Sequence, residues 1–163
     1  MELSPKSAFR VLRTYLKNSN PKKYAHSIRV ATISQFLARK WGESVDDAII
    51  AAMLHDIGKS MSDAQMASLC MRNNIPVYEF EILENITALH GKVSAMLFER
   101  EFRGNDPERM SKIAHAISSH VAGAEPSETE TEGNETMSLL DKIIFVADNL
   151  ESKKEAKELL KVQ

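Results

Sequence analysis

Ala51-Ala52-Met53-Leu54-His55-Asp56-Ile57-Gly58-Lys59 is an apolar run that ends on an imidazole, a carboxylate and a glycine. Upstream, Ser44 with Asp47 has the pattern of a capping box, and Ala48, Ile49, Ala51, Ala52 and Leu54 carry a helix up to the His-Asp pair. Gly58 is expected to stop that helix. Neighbouring residues on a helix point about 100° apart, so His55 and Asp56 can face one point only at a helix end, where the backbone turns away.

The helical pattern extends outward from this stretch in both directions. Ser4-Pro5 is a cap followed by a proline at the first helical position. It opens a helix to about Lys17 with apolar positions Ala8, Val11, Leu12, Tyr15 and Leu16. Pro21 opens a second helix and Gly42 closes it. Ser62 with Gln65 starts a fourth, to about Arg72, and Pro76 breaks the chain. Further helices are expected from about His90 to Phe102, from Pro107 to about His120, and from Ser138 through Ile143, Ile144 and Val146 into the Lys/Glu-rich tail. There are no repeats and no alternating strand pattern. The fold class is therefore all-α, a helical bundle forming one domain over residues 1–163. Residues 123–136 are acidic, turn-rich and lack apolar side chains to bury, and are read as a loop.

The composition narrows the function classes. With 43% hydrophobic and 27% charged residues the chain is globular. A net charge of −2 and no basic stripe argue against a nucleic-acid partner. No apolar stretch is long enough to span a bilayer, and the N-terminus has no apolar signal core, so no membrane partner and a cytoplasmic location are expected. The single cysteine, Cys70, cannot form an internal disulfide and reads as a small buried hydrophobe.

Four of the five histidines fall into an order with two aspartates: His26, His55-Asp56, His90, His120, Asp148. Asp148 directly follows the apolar run Ile143–Ala147, and a carboxylate there is costly to bury unless it is paired or metal-bound. Two histidines and two carboxylates, His26, His55, Asp56 and Asp148, could hold an octahedral Fe or Mn with two positions left for water and phosphate. Such an ion would activate water for hydrolysis. His115 stands outside the pattern and reads as a helix-surface histidine.

These segments carry a resemblance. Lys23-Tyr24-Ala25-His26-Ser27, Leu54-His55-Asp56-Ile57-Gly58-Lys59, Leu89-His90-Gly91-Lys92, Ala116-Ile117-Ser118-Ser119-His120 and Met137–Asp148 make the chain similar to the HD superfamily of metal-dependent phosphohydrolases. Within it, the chain looks most like the bacterial YqeK-like symmetrical diadenosine tetraphosphate hydrolases. The resemblance implies an HD-domain bundle, a nucleotide polyphosphate substrate cleaved to two ADP, and an iron or similar divalent ion held by His26, His55, Asp56 and Asp148. It implies that His90 and His120 either contact the polyphosphate or hold a second ion bridged by Asp56. Asp56, His90, His120 and Lys59 are thus the expected catalytic group, with Lys23, His90, His120 and Lys154 on the substrate side. The family also allows a homodimer.

The chain departs from the family where substrate is expected. After its last histidine the family usually has Thr-(Thr/Ser)-Gly-Arg, whereas this chain has Val121-Ala122-Gly123-Ala124. After Asp148 the family usually has Glu-Pro and a nearby arginine. Here Glu151 is followed by Ser152-Lys153, and Lys154 stands near the arginine's place without its bidentate fork. These losses keep open a different phosphoester substrate, and a nucleotide-binding regulatory module with little turnover.

Overall fold

The computed structural model describes residues 1–79, 81, 85–121 and 137–161, with side chains described as far as Lys154. Among the described residues are seven α-helical spans, in chain order α1 (Pro5–Leu16), α2 (Pro21–Trp41), α3 (Val45–Leu54), α4 (Asp63–Arg72), α5 (Leu89–Glu101), α6 (Pro107–Ser119) and α7 (Leu139–Lys161). Short 3-10 turns cover Ile57–Ser60 and Ile86–Ala88. Among the described residues there is no strand, and no helix is long and apolar enough to cross a membrane. The expected acidic loop at 123–136 lies outside the described residues.

The helices begin where local chemistry starts them. Ser4 accepts from the Ser7 N–H ahead of Pro5, and Asn20 accepts from the Lys23 N–H ahead of Pro21. Ser62 and Gln65 form a complete capping box, and Ser138 and Asp141 exchange the same pair of bonds before α7. Gly42 ends α2 at φ 77°, a left-handed value that glycine takes without strain.

Two expectations change. Ser44 caps α3 through the Asp47 N–H, but its own N–H donates to Glu43 Oε1, so only half of that box forms. The Asp47 carboxylate is drawn instead to Arg109, 2.7 Å away on α6. Gly58 does not stop α3. That helix ends at Leu54, and Gly58 sits in the following 3-10 turn without a positive φ.

α3 is the centre of the bundle. It packs against α1, α2, α6 and α7, and Ala48, Ile50, Ala51, Ala52 and Leu54 are buried around it. A helix that is apolar on nearly all sides belongs in the middle of a core. Leu12, Leu16, Ile113, Ile117, Leu140 and Ile144, from helices packed on it, are buried in the same core. Its C-terminal end therefore delivers His55 and Asp56 into the interior, with α2 and α7 on one side and α5 and α6 beyond the turn.

Candidate metal centre

His55 is the C-cap of α3 and is wholly buried; Asp56 leaves the helix at φ −113°, ψ 9°, 2% exposed. This change of backbone direction lets two adjacent side chains converge, as the sequence argument requires. Asp56 then divides its oxygens. Oδ2 lies 3.2 Å from His55 Nε2 and 3.6 Å from His26 Nε2. Oδ1 lies 3.1 Å from His90 Nε2 and 3.4 Å from His120 Nε2. Asp148, from α7, completes the first side, with Oδ1 2.9 Å from His26 Nε2 and 3.5 Å from His55 Nε2. All six residues in the sequence pattern meet in one cluster.

Three of the histidines are oriented in the same way. The Nδ1 atoms of His55, His90 and His120 are hydrogen-bonded to the carbonyls of Ala52, Thr87 and Ile117, each three residues earlier. A carbonyl can only accept, so each ring carries its proton on Nδ1 and turns Nε2 inward, the arrangement typical of a metal-ligating histidine. At the ends of α3 and α6 these carbonyls lack partners within their own helix, so the histidines also serve as helix-end partners. His26 differs, since its buried Nδ1 has no hydrogen-bond partner.

The donors fit a cation. His55 Nε2 is buried with no aligned hydrogen bond, only the Asp56 and Asp148 carboxylate oxygens at 3.2 and 3.5 Å. His90 Nε2 and His120 Nε2 lie 3.0 Å apart. Two inward lone pairs at that distance repel unless a proton or a metal ion sits between them. Nitrogen ligands at about 2.1 Å on adjacent corners of one coordination sphere are ~3 Å apart. Among the described residues, His26–His55–Asp148 and His55–Asp56–His120 are the two groups whose ligand atoms lie close enough together to hold one ion.

The cluster's charge is balanced internally. Burial opposes a charge on His55, but the Asp56 and Asp148 carboxylates outweigh it and push the ring up to about 10. Burial would raise both carboxyls. The surrounding histidines, His55 foremost for Asp56 and His26 for Asp148, hold them well below the usual carboxylate range. For His120 burial prevails over the pull of Asp56, and the ring is lowered toward its neutral form.

Lys59 lies beside this cluster, its Nζ 3.7 Å from Asp56 Oδ1. Burial, then the neighbouring Lys23 ammonium, lowers it against the pull of Asp56. Lys23 and Lys59 are thus brought together, although they lie on different elements. Asn20, which the sequence reading passed over, makes the link: its side chain accepts from the Lys23 N–H and donates to the Lys59 carbonyl. Lys154 is exposed on α7 and makes no ion pair with the cluster among the described residues. His115 is outside the cluster, but it is no idle surface residue. Its Nδ1 lies 2.9 Å from the buried Asp141 carboxylate, tying α6 to α7.

A wide surface cleft of about 600 Å³ at Asn73, Arg100, Arg103 and Pro107 contains none of these residues. Volume does not locate the chemistry here; the convergence of ligand atoms does.

A family model described as HD domain matches residues 24–153, which includes every residue of the cluster. The chain belongs to the HD domain family. It is 30% identical over 129 residues to the symmetrical bis(5'-nucleosyl)-tetraphosphatase of Bacillus subtilis and 31% identical over 134 residues to that of Staphylococcus aureus, covering 79% and 80% of this chain. The chain spans 61% and 59% of the length of those two relatives. A solved structure of a predicted HD superfamily hydrolase involved in NAD metabolism from Clostridium acetobutylicum matches with TM-score 0.69 and 26% identity, over 90% of this chain and 68% of that one. A second, from an uncultured Thermotogales bacterium, matches in fold with TM-score 0.56 at 19% identity, over 90% of this chain and 67% of that one.

Proposed function

We propose that this HD domain is a metal-dependent phosphohydrolase acting on nucleotide polyphosphates, with symmetrical hydrolysis of diadenosine tetraphosphate to two ADP as its reaction. The observation that carries the reading is the Asp56 carboxylate set between two histidine pairs, beside two converging lysines. The tetraphosphatase relatives support the substrate class.

His26, His55, Asp56 and Asp148 would hold a divalent ion, iron or manganese, and His90 and His120 a second one shared through Asp56. An ion there would supply polarisation of a phosphoryl oxygen and activation of water near neutral pH. The chain itself does the rest. Its Nδ1–carbonyl bonds hold three imidazoles in the tautomer that leaves Nε2 free. Lys23 and Lys59 are like charges held together, an arrangement that a polyanion relieves, and they would take the phosphate charge. Lys59, whose Nζ lies 3.7 Å from Asp56 Oδ1, would meet charge developing on the phosphoryl group.

One observation favours a binding module of low turnover instead. Val121, directly after His120, packs its methyl group against Gly91, so no hydroxyl occupies that position. One assay separates the two readings. The purified protein is analysed for bound metal, then offered diadenosine polyphosphates and mononucleotides with Fe, Mn and Mg. Bound metal with turnover is expected. Metal without turnover supports the binding module, and neither metal nor turnover sinks the metal-centre reading.

A further inference from the structure

Ser94 lies one turn beyond His90 on α5 and is wholly buried. Its Oγ accepts a 2.8 Å hydrogen bond from the N–H of Gly58. That N–H opens the 3-10 turn after Asp56, and Asp56 gives the turn no side-chain cap. A donor at a helix start has no partner within the helix, so α5 supplies one from across the core. The approach is tight. A Cβ at Gly58 would lie 2.8 Å from the His90 carbonyl oxygen and 3.0 Å from Ser94 Oγ. On the other flank of α5, a Cβ at Gly91 would lie 2.7 Å from the Ser118 carbonyl and 2.7 Å from Val121 Cγ2. The backbone at His90 is thus closed in by the turn that carries Asp56 and by the end of α6 that carries His120.

We propose that Ser94 is a positioning residue acting through His90. Its hydroxyl sets the register of α5 against the Asp56 turn, which brings His90 Nε2 to Asp56 Oδ1 at 3.1 Å and to His120 Nε2 at 3.0 Å. The effect is confined to this side of the centre. His26, His55 and Asp148 are placed by α2, α3 and α7, to which Ser94 makes no hydrogen bond. The proposal rests on the reading of the cluster as a metal centre and adds a residue outside the ligand set.

Ser94→Ala removes the acceptor without adding bulk, and Gly58→Ala drives a wedge into the same contact from the other element. In the metal-free protein, the ring signals of His90 and His120 should shift in the NMR spectrum of either variant, while those of His26 stay in place. In a Mn²⁺ or Co²⁺ titration, the ion that contacts His90 should bind about 10–100-fold more weakly, as when an outer-shell partner is lost. Adding Ser94→Ala to His90→Ala should cost nothing further, because both act through one ring. Should Ser94→Ala fail to fold, Ser94→Cys keeps a weak acceptor and should give smaller shifts in the same two rings. Equal shifts in all four rings, no shift in any, or full additivity with His90→Ala would each overturn the proposal. If the unaltered protein takes up no metal, the metal-centre reading fails, and the metal-free ring spectra still decide the role of Ser94.

Discussion

The two sides of Asp56 are built differently. On the Oδ2 side, rings and carboxylates alternate: His26 and His55 face Asp148 and Asp56 at 2.9–3.6 Å. On the Oδ1 side, nitrogen outnumbers oxygen: His90, His120 and Lys59 share one carboxylate oxygen. The first side carries enough negative charge to hold a cation by itself. The second is short of negative charge, and an anionic phosphate oxygen would complete it. One of the sequence's two departures from its family, Val121 directly after His120, falls on this second side, and the other follows Asp148 on the first.

The largest effect should come from the residue common to both sides. Asp56→Ala removes an oxygen from each half and leaves four inward histidines without their shared counter-charge. Turnover should fall by about a thousandfold or more, beyond the loss of a single charge-stabilising donor, and metal content should drop with it. Turnover surviving in this variant would mean that the centre lies elsewhere. Next comes the contrast between single histidines. His26→Ala should abolish tight metal uptake, because it leaves Asp148 without its 2.9 Å partner. His90→Ala should keep one tightly held ion and lose roughly 10²–10³-fold in rate, about the worth of one group that stabilises developing charge. Metal analysis and kinetics on the pair would break the comparison if the two variants behaved alike.

Sequence made the helix ends legible because caps are local: Ser4-Pro5, Pro21, Ser62-Gln65 and Ser138 each act within a few residues of themselves. The convergence of His55 and Asp56 is legible for the same reason, since it needs only a helix end. What periodicity misses is contact between elements. Gly58 looks like a helix stop, and its real constraint is the His90 carbonyl 32 residues further on. Gly91 and Ser94 look like a poor helix former and an ordinary polar residue until α6 and the Asp56 turn are set against them. His115 is at the surface, as read, and only the fold shows it paired with the buried Asp141. Asn20 goes unread beside Pro21, and only the fold shows it capping α2 and reaching Lys59.

The alternating charges on the Oδ2 side give a pH signature. In the metal-free protein His55 is pushed up to about 10, so its contribution to stability is fully present below its ordinary value of about 6.5 and is lost as pH rises through 10. Asp148 is held low, so its contribution is present above about 4 and lost as pH falls further. The metal-free fold should therefore weaken between about pH 6.5 and 10. The loaded protein should not, because the ion takes the place of the His55 proton. Metal uptake near pH 8 should release about one proton, and apparent affinity should rise up to about tenfold per pH unit in that window. Thermal melts with and without metal, and calorimetry in buffers of different ionisation enthalpy, check both signs. Uptake without proton release would mean that His55 is neutral before the ion arrives.

The smallest expected effect tests the guest on the Oδ1 side. Lys59→Ala and Lys23→Ala should each raise the KM for a nucleotide polyphosphate by about tenfold, corresponding to roughly 1.4 kcal/mol of lost charge-assisted binding. Their combination should cost more than the product of the two. The lysines repel each other in the free protein, so removing one relieves the other: Lys59 loses a neighbour that lowers it and becomes a fuller cation. The direct sign of that relief is a rise in the Lys59 pKa in Lys23→Ala, readable from its side-chain nitrogen shift without any substrate. Strict multiplicativity in KM together with an unmoved Lys59 would show that the two ammonium groups serve different parts of the substrate. In that case the nitrogen-rich side of Asp56 ends at Lys59.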